Sequence, residues 1–319
     1  MTIRSTRRSL LAAGGTAGVV LGAAACSSSD PFEEDTAQGG GEGAAPSDGG
    51  GAGGSSTLVI GSQAYYSNEI IAELFAQVLE AEGFTVERQF QIGQREVYVP
   101  ELENGSLDVL PEYLGNLLQH YEPDAPSASP EEIHSALGEA LPGALRVLDF
   151  AEASDQDSYT TTAAFAQEHS LTTIADLAGI PDLRIAANSE FEVRPYGPEG
   201  AKSIYGVDVT VVPVEDSGGP LTVQALTDGD VQLADIYTAD PAIAANDLVV
   251  LEDPESMILP QNVVPLVTEK VDETAAAAIE RVIEQLSADD LVAINQRSVE
   301  EQANSATIAT DWLGEKGLV

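Results

Sequence analysis

Apolar residues between Thr57 and Val319 recur at two periods that trade places along the chain. Leu58-Val59-Ile60 is a short apolar run closed by Gly61-Ser62, the pattern of a strand entering a turn. With Ser67 as N-cap, Ile70, Ile71, Leu74, Phe75, Val78 and Leu79 fall on one face of a helix that Gly83 ends. Phe84, Val86, Phe90 and Ile92 alternate along a second strand. A helix around 97–102, the turn Asn104-Gly105 and a strand over 107–110 follow. Ser129-Pro130-Glu131-Glu132 combines a cap, a proline at the first helical position and a glutamate that closes a capping box. Further strands are predicted at 146–150, 159–164, 183–187, 207–214, 231–237 and 248–251, most of them separated by helices. From Glu273 onward the chain reads as helical, with Ile279, Val282, Ile283 and Leu286 in one apolar stripe. This alternation predicts an α/β architecture with mostly parallel sheets. The stretch is too long for one such sheet and has no internal linker, so two α/β lobes with a cleft between them are expected.

The first 56 residues have a different pattern. Arg4, Arg7 and Arg8 precede a small and apolar run over 10–25 that ends in Ala23-Ala24-Ala25-Cys26, as in an export signal. The run is too short and too rich in Gly and Ala to cross a hydrocarbon layer of roughly 30 Å. Thr6-Arg7-Arg8-Ser9-Leu10-Leu11 also resembles a twin-arginine export motif. Cys26 is the only cysteine, so no intramolecular disulfide can form. It reads as the lipidated first residue of the mature chain, in a pattern that resembles a bacterial lipobox with Ala23 where Leu is commoner. Residues 27–56 are Gly-, Ser-, Ala- and Pro-rich, the composition of a flexible tether. The expected location is outside the cell membrane, on its outer face, held by a lipid anchor.

Charge and candidate chemistry narrow the function classes. A net charge of −40 excludes a nucleic-acid partner, because that binding needs Lys and Arg to neutralise phosphates. Glu215-Asp216-Ser217-Gly218-Gly219-Pro220 is like the nucleophile segment of a serine protease. That chemistry needs a histidine base held by a carboxylate, and His120, His134 and His169 lack such surroundings. The segment is therefore read as a loop opening the helix near Leu221, its backbone N–H groups available to an anionic ligand group. Scattered histidines and a single thiol give no metal-ligand spacing, and no glycine-rich loop with a lysine follows a strand. Neither enzyme chemistry nor a metal or cofactor is expected. Tyr113, Tyr159 and Tyr237 stand at the ends or starts of predicted strands, where open α/β sheets gather their ligands. Their rings suit a quaternary ammonium cage, and core packing with satisfied hydroxyls is the other reading those positions allow.

Several segments in order resemble one family. They are Ile60-Gly61-Ser62-Gln63, the run over 107–115 containing Pro111-Glu112-Tyr113, and the run over 224–230. Ala234-Asp235-Ile236-Tyr237-Thr238-Ala239-Asp240-Pro241 and Pro260-Gln261-Asn262-Val263-Val264-Pro265 complete the set. Together they resemble the osmoprotectant-type substrate-binding proteins of ABC importers, which take up glycine betaine, carnitine, choline and related compounds. The resemblance spans 57–319. It implies a type II periplasmic-binding-protein-like fold, with 57–156 plus 262–319 as one lobe and 157–261 as the other, closing on a ligand in a tyrosine cage.

By that resemblance Tyr113, Tyr159 and Tyr237 match cage positions, and Gln261 stands where the family usually has a fourth tyrosine. Tyr65 or Tyr66, in the loop after the first strand, would compensate. Arg194 and Asn116 match positions that reach a ligand carboxylate, Gln63 stands where many relatives have Lys, and Asp157 joins the ligand-binding set beside Tyr159. The implied ligand is a quaternary-ammonium or betaine-type solute; the alternative is another betaine or zwitterion such as ergothioneine or ectoine. The implied protein partners are the transmembrane subunits of the importer.

Overall fold

The computed structural model describes residues 57–319, so the export-signal pattern, Cys26 and the tether lie outside the described residues. Ten strands form two five-stranded sheets. Strands β1 (Thr57–Gly61), β2 (Thr85–Gln89), β3 (Val109–Tyr113) and β4 (Leu145–Val147) belong to the first sheet. The chain then crosses to the second sheet, built from β5 (Tyr159–Thr162), β6 (Leu183–Ala187), β7 (Val209–Pro213), β8 (Leu233–Asp235) and β9 (Leu248–Val250), and returns with β10 (Val263–Thr268). The strand orders are β2-β1-β3-β10-β4 and β7-β6-β8-β5-β9.

Both sheets are mixed, which corrects the expectation of mostly parallel pairing. In the first, β1 is parallel to β2 and β3, while β10 runs antiparallel to β3 and β4. In the second, β6 is parallel to β7 and β8, while β5 runs antiparallel to β8 and β9. The odd strands, β5 and β10, are the first strands after each crossing. A chain arriving from the other lobe has no crossover helix to turn it parallel to its neighbours.

Helices α1 (Tyr66–Ala81), α2 (Arg95–Glu103), α3 (Leu114–Tyr121) and α4 (Pro130–Ala140) accompany the first sheet. Helices α5 (Ala163–His169), α6 (Pro198–Gly200), α7 (Pro220–Thr227) and α8 (Ala242–Ala245) accompany the second. The chain ends in α9 (Glu273–Ile283), α10 (Ala288–Glu300) and α11 (Ser305–Lys316). The stripe of α1 is buried with Leu58 and Ile60, together with Ile279, Val282, Ile283 and Leu286 from the tail. Helices α2 to α4 seal the opposite face through Tyr98, Leu102, Leu114 and Ile133. The capping box at Ser129 forms as predicted: Glu132 N–H donates to Ser129 Oγ at 3.3 Å, and Ser129 N–H donates to Glu132 Oε2 at 3.0 Å.

Helix α1 begins at Tyr66, so Ser67 is inside its first turn rather than capping it. The start is fixed instead by Asn68, whose Oδ1 accepts from Gln63 N–H at 2.8 Å and whose Nδ2 donates to Pro111 O at 2.9 Å. That clamp ties the loop after β1 to β3. Strand β3 lies later than expected and carries Pro111-Glu112-Tyr113 into the sheet, because β10 pairs with it from Val109 to Tyr113. Pro111 and Pro265 face each other across this pair, where neither ring nitrogen is needed as a donor. The Pro111 carbonyl goes to Asn68 and the Pro265 carbonyl accepts from Leu148 N–H, so both prolines are accommodated in central strands.

The two crossings run side by side. Ser154 and Asn262 form an antiparallel bridge, Val263 N–H donates to Ala153 O at 2.9 Å, and Asp155 N–H donates to Gln261 O at 3.2 Å. Among the described residues no helix is long and apolar enough to cross a membrane.

Candidate functional site

A cleft between the sheets is lined from both lobes and from the first crossing. The first lobe contributes Gln63 and Tyr65 from the loop after β1, Arg95 from α2, Tyr113 at the end of β3 and Asn116 from α3. The crossing contributes Asp155 and Asp157. Glu190, Arg194 and Tyr196 come from the segment after β6, and Asp235 and Tyr237 from the end of β8. The lining thus collects at the carboxyl ends of strands, where diverging βα connections leave a crevice.

Three aromatic rings meet across the cleft. Tyr65 and Tyr113 lie 6.5 Å apart at 28°, with the Tyr65 hydroxyl donating to the Tyr113 hydroxyl. Tyr65 and Tyr237 meet edge to face at 5.2 Å and 67°. Tyr237 comes from the second lobe, so the group spans the cleft. Burial pushes the phenols of Tyr65, Tyr113, Tyr196 and Tyr237 above their ordinary range, with nearby carboxylates adding to the shift. All four remain neutral rings at any physiological pH.

The charged groups are arranged in layers. Arg95, 7% exposed, donates through Nε and Nη2 to fully buried Glu112 at 2.8 and 2.7 Å. Glu112 also accepts from Tyr98 Oη at 2.6 Å and from Tyr113 N–H at 2.9 Å. Burial alone would depress the Arg95 pKa, but Glu112 and Tyr98 hold it well above its ordinary value. Arg194 donates to Glu96 at 2.8 and 3.3 Å, an ion pair that joins the second lobe to α2. Asn116 Nδ2 donates to Asp157 at 2.7 Å, and the Asp157 carboxyl stands close to that of Asp235. Burial, then the Asp157 charge, pushes Asp235 well above the usual carboxylate range. Burial also pushes Asp155 up to about 7, although its carboxylate accepts from Ala239 N–H at 2.9 Å.

Six of the nine ligand-binding expectations line this cleft: Tyr113, Tyr237, Arg194, Asn116, Gln63 and Asp157. Three do not. Tyr159 is fully buried and faces the core of the second lobe, where its hydroxyl donates to Tyr196 O at 2.9 Å and its ring packs on Phe191. Its position in β5 puts it behind the lining; Tyr196, which it supports, is the ring that faces the cleft. Gln261 is also fully buried, with Oε1 accepting from Asn116 N–H at 3.1 Å and Nε2 donating to Asn116 Oδ1 at 2.8 Å. It braces Asn116 instead of replacing a ring. Tyr66 turns away and donates to Asp240 at 2.9 Å, leaving Tyr65 as the member of that pair in the cleft. Asn116 and Arg194, expected to meet a ligand carboxylate, are bonded to Asp157 and Glu96.

The start of α7 is not an open anion site either. Asp216 fills it, accepting from Leu221 N–H and Thr222 Oγ1, both at 2.6 Å. The turn that brings Asp216 there uses left-handed backbone at Ser217 and Gly218, and a Cβ on Gly218 would lie 2.9 Å from Asp235 O.

Tyr196, Arg95, Asp155, Asp235 and Glu190 escaped the sequence reading. Asp235 stands two residues before Tyr237, and Asp155 two before Asp157, so proximity to an expected site residue was the available signal.

Comparison with known proteins gives a consistent assignment. Residues 56–315 match the family model described as the substrate binding domain of ABC-type glycine betaine transport system. The chain is 23% identical over 274 residues to the glycine betaine-binding protein YehZ of Escherichia coli, covering 81% of this chain and 90% of that protein. Among solved structures, a glycine betaine/carnitine/choline ABC transporter protein superposes with a TM-score of 0.67 at 22% identity, covering 82% of this chain and 99% of the other. A choline-binding protein of an ABC transporter, in complex with choline, gives 0.57 at 14% identity over 82% and 89%. These likenesses carry the fold, that of type II periplasmic binding proteins.

Proposed function

Because the chain belongs to the family of substrate-binding domains of ABC-type glycine betaine transport systems, we propose that it captures a quaternary-ammonium or betaine-type solute in the cleft between its lobes and delivers it to the transmembrane subunits of an importer. The observation that carries the reading is the group of Tyr65, Tyr113 and Tyr237, drawn from both lobes and joined by ring contacts at 6.5 and 5.2 Å. A trimethylammonium group has no N–H to donate, so its recognition rests on ring faces and dispersion. Each ring contributes about 0.5–2 kcal/mol, more as water is excluded. Tyr196 is the fourth ring of the proposed cage, in place of Tyr159. Of the two solved relatives cited, one is described with glycine betaine, carnitine and choline and the other holds choline.

In this reading 57–156 plus 262–319 form one lobe and 157–261 the other, the paired crossings act as the hinge, and closure buries the ligand. No bond is made or broken. Capture outside the cell suits a chain held at the outer face of the membrane by a lipid on Cys26. Calorimetry of the purified full chain against choline, glycine betaine, carnitine, ectoine and ergothioneine tests the proposal. Heat from at least one at micromolar ligand supports it, and a folded protein that binds none of the five ends it.

A further inference from the structure

We propose that the cleft selects a ligand of net positive charge that carries a hydroxyl and no carboxylate, because the cations a carboxylate would need are already paired with protein carboxylates. The inference rests on the reading above and narrows it.

Two guanidiniums line the cleft, and each is held by a carboxylate behind it: Arg95 by Glu112 and Arg194 by Glu96. The Asn116 amide donates to Asp157, while its oxygen accepts from Gln261. Against these matched cations stand four lining carboxyls, Asp155, Asp157, Asp235 and Glu190. Even with Asp235 protonated, the cleft carries net negative charge in a buried setting, where solvent screens it weakly. A zwitterion would bring its carboxylate into that field and find no unmatched cation.

A separate observation concerns Gln63. It is 5% exposed, it lines the cleft, and its Nε2 is a buried donor with no partner among the described residues. A hydroxyl can accept from Gln63 while donating to a cleft carboxylate, which a ligand carboxylate cannot do.

Titration calorimetry of the full chain with three probes tests this: choline, glycine betaine, and 3,3-dimethylbutan-1-ol, the uncharged isostere of choline. Choline is expected to bind at least tenfold more tightly than either of the others. Asp157→Asn should cut choline affinity by about tenfold without weakening glycine betaine, reducing the preference. Glu190→Gln, at a half-buried position, gives the same comparison should the first variant melt early. Glycine betaine binding as tightly as choline in the unaltered protein overturns the inference and leaves the proposed function standing. Silence from these probes and from carnitine, ectoine and ergothioneine overturns both.

Discussion

Glu96→Gln removes the carboxylate that holds Arg194 and leaves every lining residue of the cleft in place. In the intact protein the pair is bidentate at 2.8 and 3.3 Å, with Arg194 14% and Glu96 53% exposed at the side chain. As a partly exposed ion pair it contributes at most about 1 kcal/mol to stability, so the variant should fold. Its effect on binding is larger. For an assumed separation of about 8–12 Å across the cleft, a released guanidinium repels a bound onium by about 1.4–2 kcal/mol at an effective dielectric of about 20. Solvent on the Glu96 side reduces this to about 1.4 kcal/mol, or tenfold weaker choline binding. The same charge attracts the carboxylate of glycine betaine, which should bind severalfold more tightly. Loss of the link between lobes penalises both ligands alike, so the ratio of their affinities isolates the charge effect. Calorimetric titration of both ligands into both proteins reads that ratio, with a thermal melt to confirm folding. Equal changes for the two ligands would refute the electrostatic argument and reduce the pair to a latch.

Tyr65→Ala or Tyr237→Ala should weaken choline binding tenfold or more by calorimetry, each deleting one ring of the group. Tyr159→Phe should leave affinity within about twofold and cost roughly 1 kcal/mol in denaturant unfolding, because only its bond to Tyr196 O is lost. A Cβ on Gly115 would lie 2.5 Å from Leu259 Cβ and 2.9 Å from Pro260 O, so Gly115→Ala should destabilise the protein by about 1–3 kcal/mol, seen as a lower Tm. Asp155 holds its proton up to about pH 7 when folded and releases it near pH 4 when unfolded. Its contribution is therefore intact below pH 4 and declines as pH rises to 7. Around it stand the carboxylates of Asp157 and Asp240 and the phenols of Tyr65, Tyr66 and Tyr113. Unfolding free energies of wild type and Asp155→Asn between pH 4 and 8 should diverge in the variant's favour as pH rises, and parallel curves would contradict the assignment.

Local rules were enough for much of the architecture. A capping box forms from four neighbouring residues, which is why Ser129 and Glu132 could be read directly. The stripes of α1 and α9 follow from one helical period, and β6 has the bounds its pattern predicts. Strand β10 was not legible, because all six of its residues are buried and Pro265 interrupts them, leaving no alternation to see. The antiparallel insertion of β5 and β10 depends on where the chain crosses between lobes, which no short-range periodicity encodes.

The site divides in the same way. That tyrosines would gather at the cleft was visible in where they stand relative to strand ends. Which tyrosines face the cleft was decided by side-chain direction, set by strand pairing and by the fold of the loop before α1. Tyr159 and Tyr196 are 37 positions apart, yet one buries its ring beneath the other's backbone. Tyr65 and Tyr66 are adjacent and turn opposite ways, one to Tyr113 and one to Asp240. Arg194 could be picked out from sequence, but its charge state in the site depends on Glu96, 98 residues earlier. Sequence determined the lobes' elements, the excess of acid and the residue types available for a cation. Tertiary structure alone decided which acids face the cleft and which cations are already matched, because Coulomb and hydrogen-bond energies depend on distances that only the packed chain fixes.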